Sequence, residues 1–308
     1  MSKIAFIFPG QGAQKIGMGK DFYEQSKIAR KVYDIANDIL DMDIKGICFE
    51  ENDKLNITEY TQAALVTTCL AITNVLMEKG LRPEVTAGLS LGEYAAIYAA
   101  GGMDLKDVIK ITRKRGILMQ EAVPAGQGGM AAILGLSGET IEKVIKEIKG
   151  VTIANYNCPG QIVITGLKER IEIANARLME AGAKRAVLLN VSGPFHSPLL
   201  AEAGNELKRA MEDVKVYELK IPYVTNVTGE YVMDIGETKA LLGAQVASPV
   251  RWQQSVERMI AHGVDTFIEI GPGKTLSGFI KKINREVEVY SVGTMEELES
   301  GKVGKLLC

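Results

Sequence analysis

The sequence predicts an α/β protein: a largely parallel sheet covered by crossover helices and interrupted by an inserted ferredoxin-like unit. Three observations carry that prediction. Short apolar runs that end at glycine or proline turns alternate with longer stretches of helical period. Across residues 124–192 the order changes to βαββαβ, which is that of a small antiparallel unit. Finally, 46% hydrophobic and 24% charged residues over 308 positions are ordinary for a globular chain with one large domain and a smaller companion.

The elements follow in order. Ile4–Phe8 is an apolar run stopped by Pro9-Gly10-Gln11-Gly12, hence a buried strand and a turn. Helical period covers about 20–40 and 60–79, and Gly80, Arg82 and Pro83 break it before a short strand at Val85–Gly88. A helix begins after Ser90, and another spans 104–123. The segment Pro124 to Gly129 then opens the inserted unit. Its strands are expected at 130–134, 151–155, 161–165 and 186–191, with helices at 137–148 and 168–181. The larger domain, residues 1–123, resumes at 193–308 with strands at 223–226 and Thr266–Ile270 and helices between them.

Bulk properties narrow the function. The 36 basic and 38 acidic side chains give a net charge of -2, so no overall field favours nucleic acid. Cys48, Cys69, Cys158 and Cys308 form no C-x-x-C pair and no metal-ligand spacing, so neither metal nor disulfide is expected. Residues 62–78 come closest to a membrane span, but Thr67, Thr68, Thr73 and Asn74 interrupt them. The opening ten residues are too short for a secretion signal, and the expected compartment is the cytoplasm.

Gly88-Leu89-Ser90-Leu91-Gly92 fits G-x-S-x-G at a strand-to-helix junction. There a serine can occupy a strained turn, small neighbours let the chain pass, and the first helical amides face a developing oxyanion. The plainer alternative is a serine N-cap. A serine hydroxyl needs a base, and the chain has two histidines. His262, in Ala261-His262-Gly263, reads as a helix end. His196 lies in a Gly-Pro loop after a strand and is the better partner for Ser90. On the 104–123 helix a 100° step puts Val108, Ile111, Leu118 and Met119 on one stripe, and Arg115 projects into its middle. An inward guanidinium requires an anion, either an internal carboxylate or that of a substrate. Two glycine patterns carry nothing. In a dinucleotide fingerprint begun at Gly10 the third glycine falls on Lys15, and in a P-loop ending at Gly273-Lys274-Thr275 the first falls on Ile268.

Four motifs occur in order: Phe8-Pro9-Gly10-Gln11-Gly12, Gly88 to Tyr94, Gly193-Pro194-Phe195-His196-Ser197 and Glu269-Ile270-Gly271-Pro272-Gly273. Over essentially its whole length the chain resembles the malonyl-CoA:acyl carrier protein transacylases of bacterial fatty acid synthesis. The resemblance implies an α/β-hydrolase-like domain with a ferredoxin-like insertion. It also implies Ser90 as nucleophile, His196 as base, and the amides of Gln11 and Leu91 as oxyanion hole. Arg115 would hold the malonyl carboxylate, the Gln245 carbonyl would orient His196, and Phe195 would favour malonyl over bulkier groups. Malonyl-CoA would be substrate, an acidic acyl carrier protein the acceptor, and no cofactor would be needed. Lys281, Lys282 and Arg285, or Lys184 with Arg185, are candidate contacts for that carrier. One position departs from the pattern, Leu89 standing where the family most often has histidine, which bears on the polar surroundings of Ser90 and Arg115. Three rivals remain at this stage: an esterase or thioesterase using Asp104 or Asp107 as its acid, a non-catalytic carrier-docking module, and a transferase of another acyl group.

Overall fold

A computed structural model describes residues 2–124, 126–191, 193–300 and 303–304. Ala125 and Ser192, at the expected borders of the insertion, and Cys308 lie outside the described residues.

The first strand, β1 (Ile4–Phe8), is apolar throughout and buried from Ala5 onward, as a central parallel strand covered on both faces must be. The helical period at 20–40 resolves into α1 (Lys20–Gln25) and α2 (Lys27–Leu40). Ser26 divides them, because its hydroxyl accepts the Ala29 amide and caps the second helix. A short α3 (Ile44–Phe49) precedes α4 (Thr58–Glu78). This last helix has the length and hydropathy of a membrane span despite its threonines, yet 83% of that window is buried inside the fold. Thr68 and Thr73 satisfy their hydroxyls on the carbonyls of Ala64 and Cys69, four residues back, which lets a polar group sit inside.

Then come β2 (Val85–Gly88), α5 (Gly92–Ala99) and α6 (Leu105–Glu121). The second unit contains β3 (Gly128–Leu134), α7 (Gly138–Ile145), β4 (Val151–Cys158), β5 (Gln161–Leu167), α8 (Lys168–Glu180) and β6 (Arg185–Leu188). Its four strands form an antiparallel sheet of order β4-β5-β3-β6, the ferredoxin-like arrangement. A separate cluster centred on Ile133, Ile164 and Ile171 fills its core.

The chain continues through α9 (Ala201–Ala210), β7 (Tyr223–Val224), β8 (Tyr231–Val232), α10 (Thr238–Gln245) and α11 (Trp252–Ala261). It ends with β9 (Thr266–Ile270), α12 (Thr275–Ile283), β10 (Glu288–Val292) and α13 (Met295–Glu299). The main sheet has the order β10-β9-β1-β2-β7-β8, parallel except for the β7–β8 hairpin at one edge. Strands β8 and β10, absent from the sequence expectation, are its two edges.

The carboxyl ends of β1, β2, β7 and β9 point the same way, and the chain leaves β1 toward β2 on one side and returns as β9 on the other. In such sheets the crevice beyond the carboxyl ends is the natural place for a site. The small sheet is fastened there. Tyr156 N–H donates to the Val250 carbonyl at 2.9 Å, and Val250 N–H donates to the Ala154 carbonyl at 2.7 Å.

Candidate active site

Ser90 sits at the turn between β2 and α5 with φ 54°, a left-handed conformation that a non-glycine residue adopts only when its surroundings enforce it. The flanking glycines show why the turn is this tight. A Cβ on Gly88 would lie 1.9 Å from the Gly92 carbonyl carbon, and one on Gly92 would lie 2.2 Å from the Phe8 carbonyl oxygen. A Cβ on Gly10 would likewise lie 2.6 Å from the Leu89 carbonyl oxygen.

Serine and histidine meet. Ser90 Oγ lies 2.7 Å from His196 Nε2, and His196 Nδ1 lies 2.9 Å from the Gln245 backbone carbonyl. A carbonyl only accepts, so Nδ1 carries the proton and Nε2 is left to accept from the serine. His196 also holds a left-handed backbone, φ 60°, and is buried. Burial, and secondarily the positive charge of Arg115, push its pKa down to about 4, so the imidazole is neutral at pH 7. The second histidine, His262, caps α11 at the surface.

Arg115 is 1% exposed, on the inner face of α6. Its Nη1 donates to Gln62 Oε1 at 2.8 Å, and its Nη2 donates to Gln245 Oε1 and to Ser90 Oγ, each at 3.0 Å. Nε is buried without a partner, and no ion pair engages this guanidinium among the described residues. Desolvation lowers its pKa, which measures how poorly neutral amides replace water around it. The internal carboxylate allowed by the sequence is therefore not in contact. Glu93, the buried acid that raises the arginine's pKa from a distance, reaches it only through Gln245.

Gln11, Ser90, Arg115, Phe195 and His196 line one cavity of about 380 Å³, together with Met119 and with Met130, Asn155, Asn157 and Val163 of the small sheet. Among the described residues no protein acceptor takes the N–H of Gln11 or of Leu91, which immediately follows the serine. Leu89, standing where the resembled family most often has histidine, lines the same cavity and packs against an apolar cluster that includes Ala5, Ile7 and Ala87. The acids considered for a hydrolase triad are elsewhere: Asp104 caps α6, and Asp107 accepts from the Lys215 amide. Lys282 lies on α12, whose first turn lines the cavity, whereas Lys184 and Arg185 are exposed at the start of the edge strand β6.

Four residues escaped the sequence reading: Gln62, Glu93, Asn226 and the side chain of Gln245. Gln62 lies on a helix buried on nearly all sides, where period gives no inner face. Asn226 lies just beyond the carboxyl end of β7, beside the Ser90 turn; position beyond a parallel strand was the signal available for it.

A strained serine hydrogen-bonded to a neutral imidazole beyond the carboxyl edge of a parallel sheet is the equipment of an acyl-transfer protein, and the acyl transferase domain family matches residues 5–302. The malonyl CoA-acyl carrier protein transacylase of Bacillus subtilis (strain 168) is 46% identical over 97% of this chain and 96% of its own length. The protein of that name from Staphylococcus aureus (strain MRSA252) is 43% identical over 97% and 98%. The crystal structure of the Clostridium perfringens transacylase superposes with TM-score 0.95 at 41% identity, over 99% of this chain and 97% of that one. A malonyl-transacylase solved in complex with a type II PKS acyl-carrier protein gives TM-score 0.95 at 37% identity, over 98% and 100%. The chain belongs to the malonyl CoA-acyl carrier protein transacylase family.

Proposed function

We propose that this protein moves a malonyl group from coenzyme A to the phosphopantetheine thiol of an acyl carrier protein in the cytoplasm, supplying fatty acid synthesis, without a cofactor. The observation that carries the reading is the buried Arg115 guanidinium. It has no contacting carboxylate among the described residues and donates to the hydroxyl beside His196. A site built only to cleave neutral esters gains nothing from that buried cation, whereas a dicarboxylic acyl group brings the missing anion.

In the first half-reaction Ser90 Oγ attacks the thioester carbon while its proton passes to His196 Nε2. The oxygen that becomes negative is held by the N–H groups of Gln11 and Leu91. Collapse breaks the C–S bond, and the imidazolium returns its proton to the departing coenzyme A sulfur. The carrier thiol then gives its proton to the same imidazole and attacks the malonyl ester carbon; collapse breaks the bond to Ser90 Oγ, and the imidazolium returns the proton to that oxygen. The carbonyl of Gln245 keeps the imidazole in the correct tautomer throughout, a task that needs orientation but no formal charge. Phe195, which lines the same cavity beside His196, would favour malonyl over branched relatives.

The test is mass spectrometry of the protein mixed with malonyl-CoA. A malonyl adduct on the peptide containing Ser90 is expected, discharged on adding carrier protein and absent from Ser90→Ala. A Ser90→Ala protein that still transfers malonyl at full rate would end this reading. Fast release of free malonate without carrier would identify a thioesterase instead.

A further inference from the structure

Buried at 0% exposure one helical turn beyond the nucleophile, Glu93 takes no part in the mechanism above, yet the groups that do are hung from it. Its Oε2 accepts from the backbone N–H of Asn226 at 3.1 Å and from Gln245 Nε2 at 2.6 Å. Those two amide side chains then hold Ser90 at both ends. Asn226 Oδ1 accepts the Ser90 N–H at 2.6 Å while its Nδ2 donates to the Gly88 carbonyl at 2.7 Å. Gln245 Nε2 donates to the Ser90 carbonyl at 3.0 Å, and its Oε1 accepts from Arg115 Nη2.

We propose that Glu93 is a positioning residue that sets the polarity of the Gln245 amide, and through it aligns the Arg115 fork with the strained Ser90 turn.

The argument is one of donors and acceptors. Of the two ends of the Gln245 amide, only the NH₂ can donate to the carboxyl oxygen Glu93 Oε2, so the carbonyl end must face Arg115. Were the amide reversed, two oxygens would meet at Glu93 and two sets of donors at Arg115, both in a space that water does not reach. The same carboxyl oxygen fixes the Asn226 backbone, and with it the clamp that closes on both sides of the nucleophile. Glu93 does this in either protonation state. Burial raises its pKa to about 7, and a proton would reside on Oε1, which has no partner of hydrogen-bond geometry although the Thr225 hydroxyl lies beside it. Oε2 stays an acceptor regardless. The acid is therefore a geometric device where a triad acid would act on the histidine.

This inference rests on the proposed malonyl transfer, and the experiment separates the two. Rates of Ser90 acylation by malonyl-CoA and acetyl-CoA are measured in single turnovers, with thermal unfolding alongside, for Glu93→Ala, Glu93→Gln and Gln245→Leu. Glu93→Ala is expected to slow malonyl acylation by 10²-fold or more and to cut the malonyl-to-acetyl ratio about ten-fold, the size of one lost hydrogen bond to a charged group. Glu93→Gln, which can still offer an oxygen to Gln245, is expected to recover at least ten-fold of that loss. Gln245→Leu keeps the backbone carbonyl for His196 and leaves Glu93 in place; it is expected to lower the ratio like Glu93→Ala, and it serves if that variant does not fold. An unchanged ratio in folded Glu93→Ala or Gln245→Leu protein, or a Glu93→Gln variant no better than alanine, overturns the proposal. Absence of any serine adduct in the unaltered protein would instead be a failure of the function itself.

Discussion

A buried cation next to a buried base is an uneasy pair, and the two residues concerned make opposite demands. Arg115 raises the electrostatic cost of protonating His196, which keeps the imidazole free to accept a proton. With a pKa near 4 the base stays competent well into mild acid. Serine acylation by malonyl-CoA is expected to be level from pH 7 to about 5 and to fall with a midpoint near 4; a midpoint near 6.5 in stopped-flow measurements would contradict this. The linkage to stability runs in two directions. His196 binds its proton more weakly when folded, so its contribution declines as pH drops from 6.5 toward 4. Glu93 binds its proton more tightly when folded, so its contribution declines as pH rises from 4.5 toward 7. Because they oppose each other, the rate profile is the cleaner probe. Arg115 has its own test. Arg115→Ala removes two donors available to a carboxylate, and malonyl transfer is expected to fall by roughly 10²-fold or more while acetyl transfer changes far less. A comparison of kcat/KM for the two thioesters decides it.

Among the elements, the β2–α5 turn is the most constrained. Gly92→Ala would push a methyl group into the backbone of β1, where Phe8 O, Phe8 C and Pro9 O all lie within 2.9 Å of the new atom. Backbone in the central strand of a sheet cannot step aside, so a loss of about 1–3 kcal/mol or more is expected in urea unfolding, together with loss of the serine adduct. Gly278→Ala, on α12 with no neighbour within 4 Å, is the contrast and is expected to be neutral or stabilising by up to about 1 kcal/mol. Much at this scale was legible beforehand. The tight turn at Ser90 could be read because glycine spacing and a strand end are local facts, and the inward position of Arg115 because helical phase is local too. The amides that clamp Ser90 could not, since Asn226 and Gln245 lie 136 and 155 residues away and only the completed sheet brings them close. The long helix expected at 20–40 failed at Ser26, where a cap outweighed a continuous period.

For the molecule as a whole, the alternation of strands and helices and the switch in the middle were enough to anticipate a parallel sheet and a ferredoxin-like companion. The edge strands β8 and β10 were missed for different reasons. β8 has only two residues, whereas β10 carries its polar/apolar alternation mainly ahead of the strand, in Glu286-Val287-Glu288-Val289, and continues as Tyr290-Ser291-Val292. What no local pattern could reveal is that the cavity is shared. One wall comes from the carboxyl edge of the large sheet and another from β3, β4 and β5, with the Ala154–Val250 and Tyr156–Val250 hydrogen bonds joining the two units beside it. The backbone at the centre of that cavity has a further consequence. Among the described residues only Asp41, Ser90 and His196 are non-glycine positions with positive φ, and each such placement costs of order 1–3 kcal/mol. Glycine would relax the backbone at both members of the serine–histidine pair while deleting both functional groups. Selecting variants of this protein for hardiness alone would therefore favour glycine at those two positions and yield a steadier but chemically inert chain.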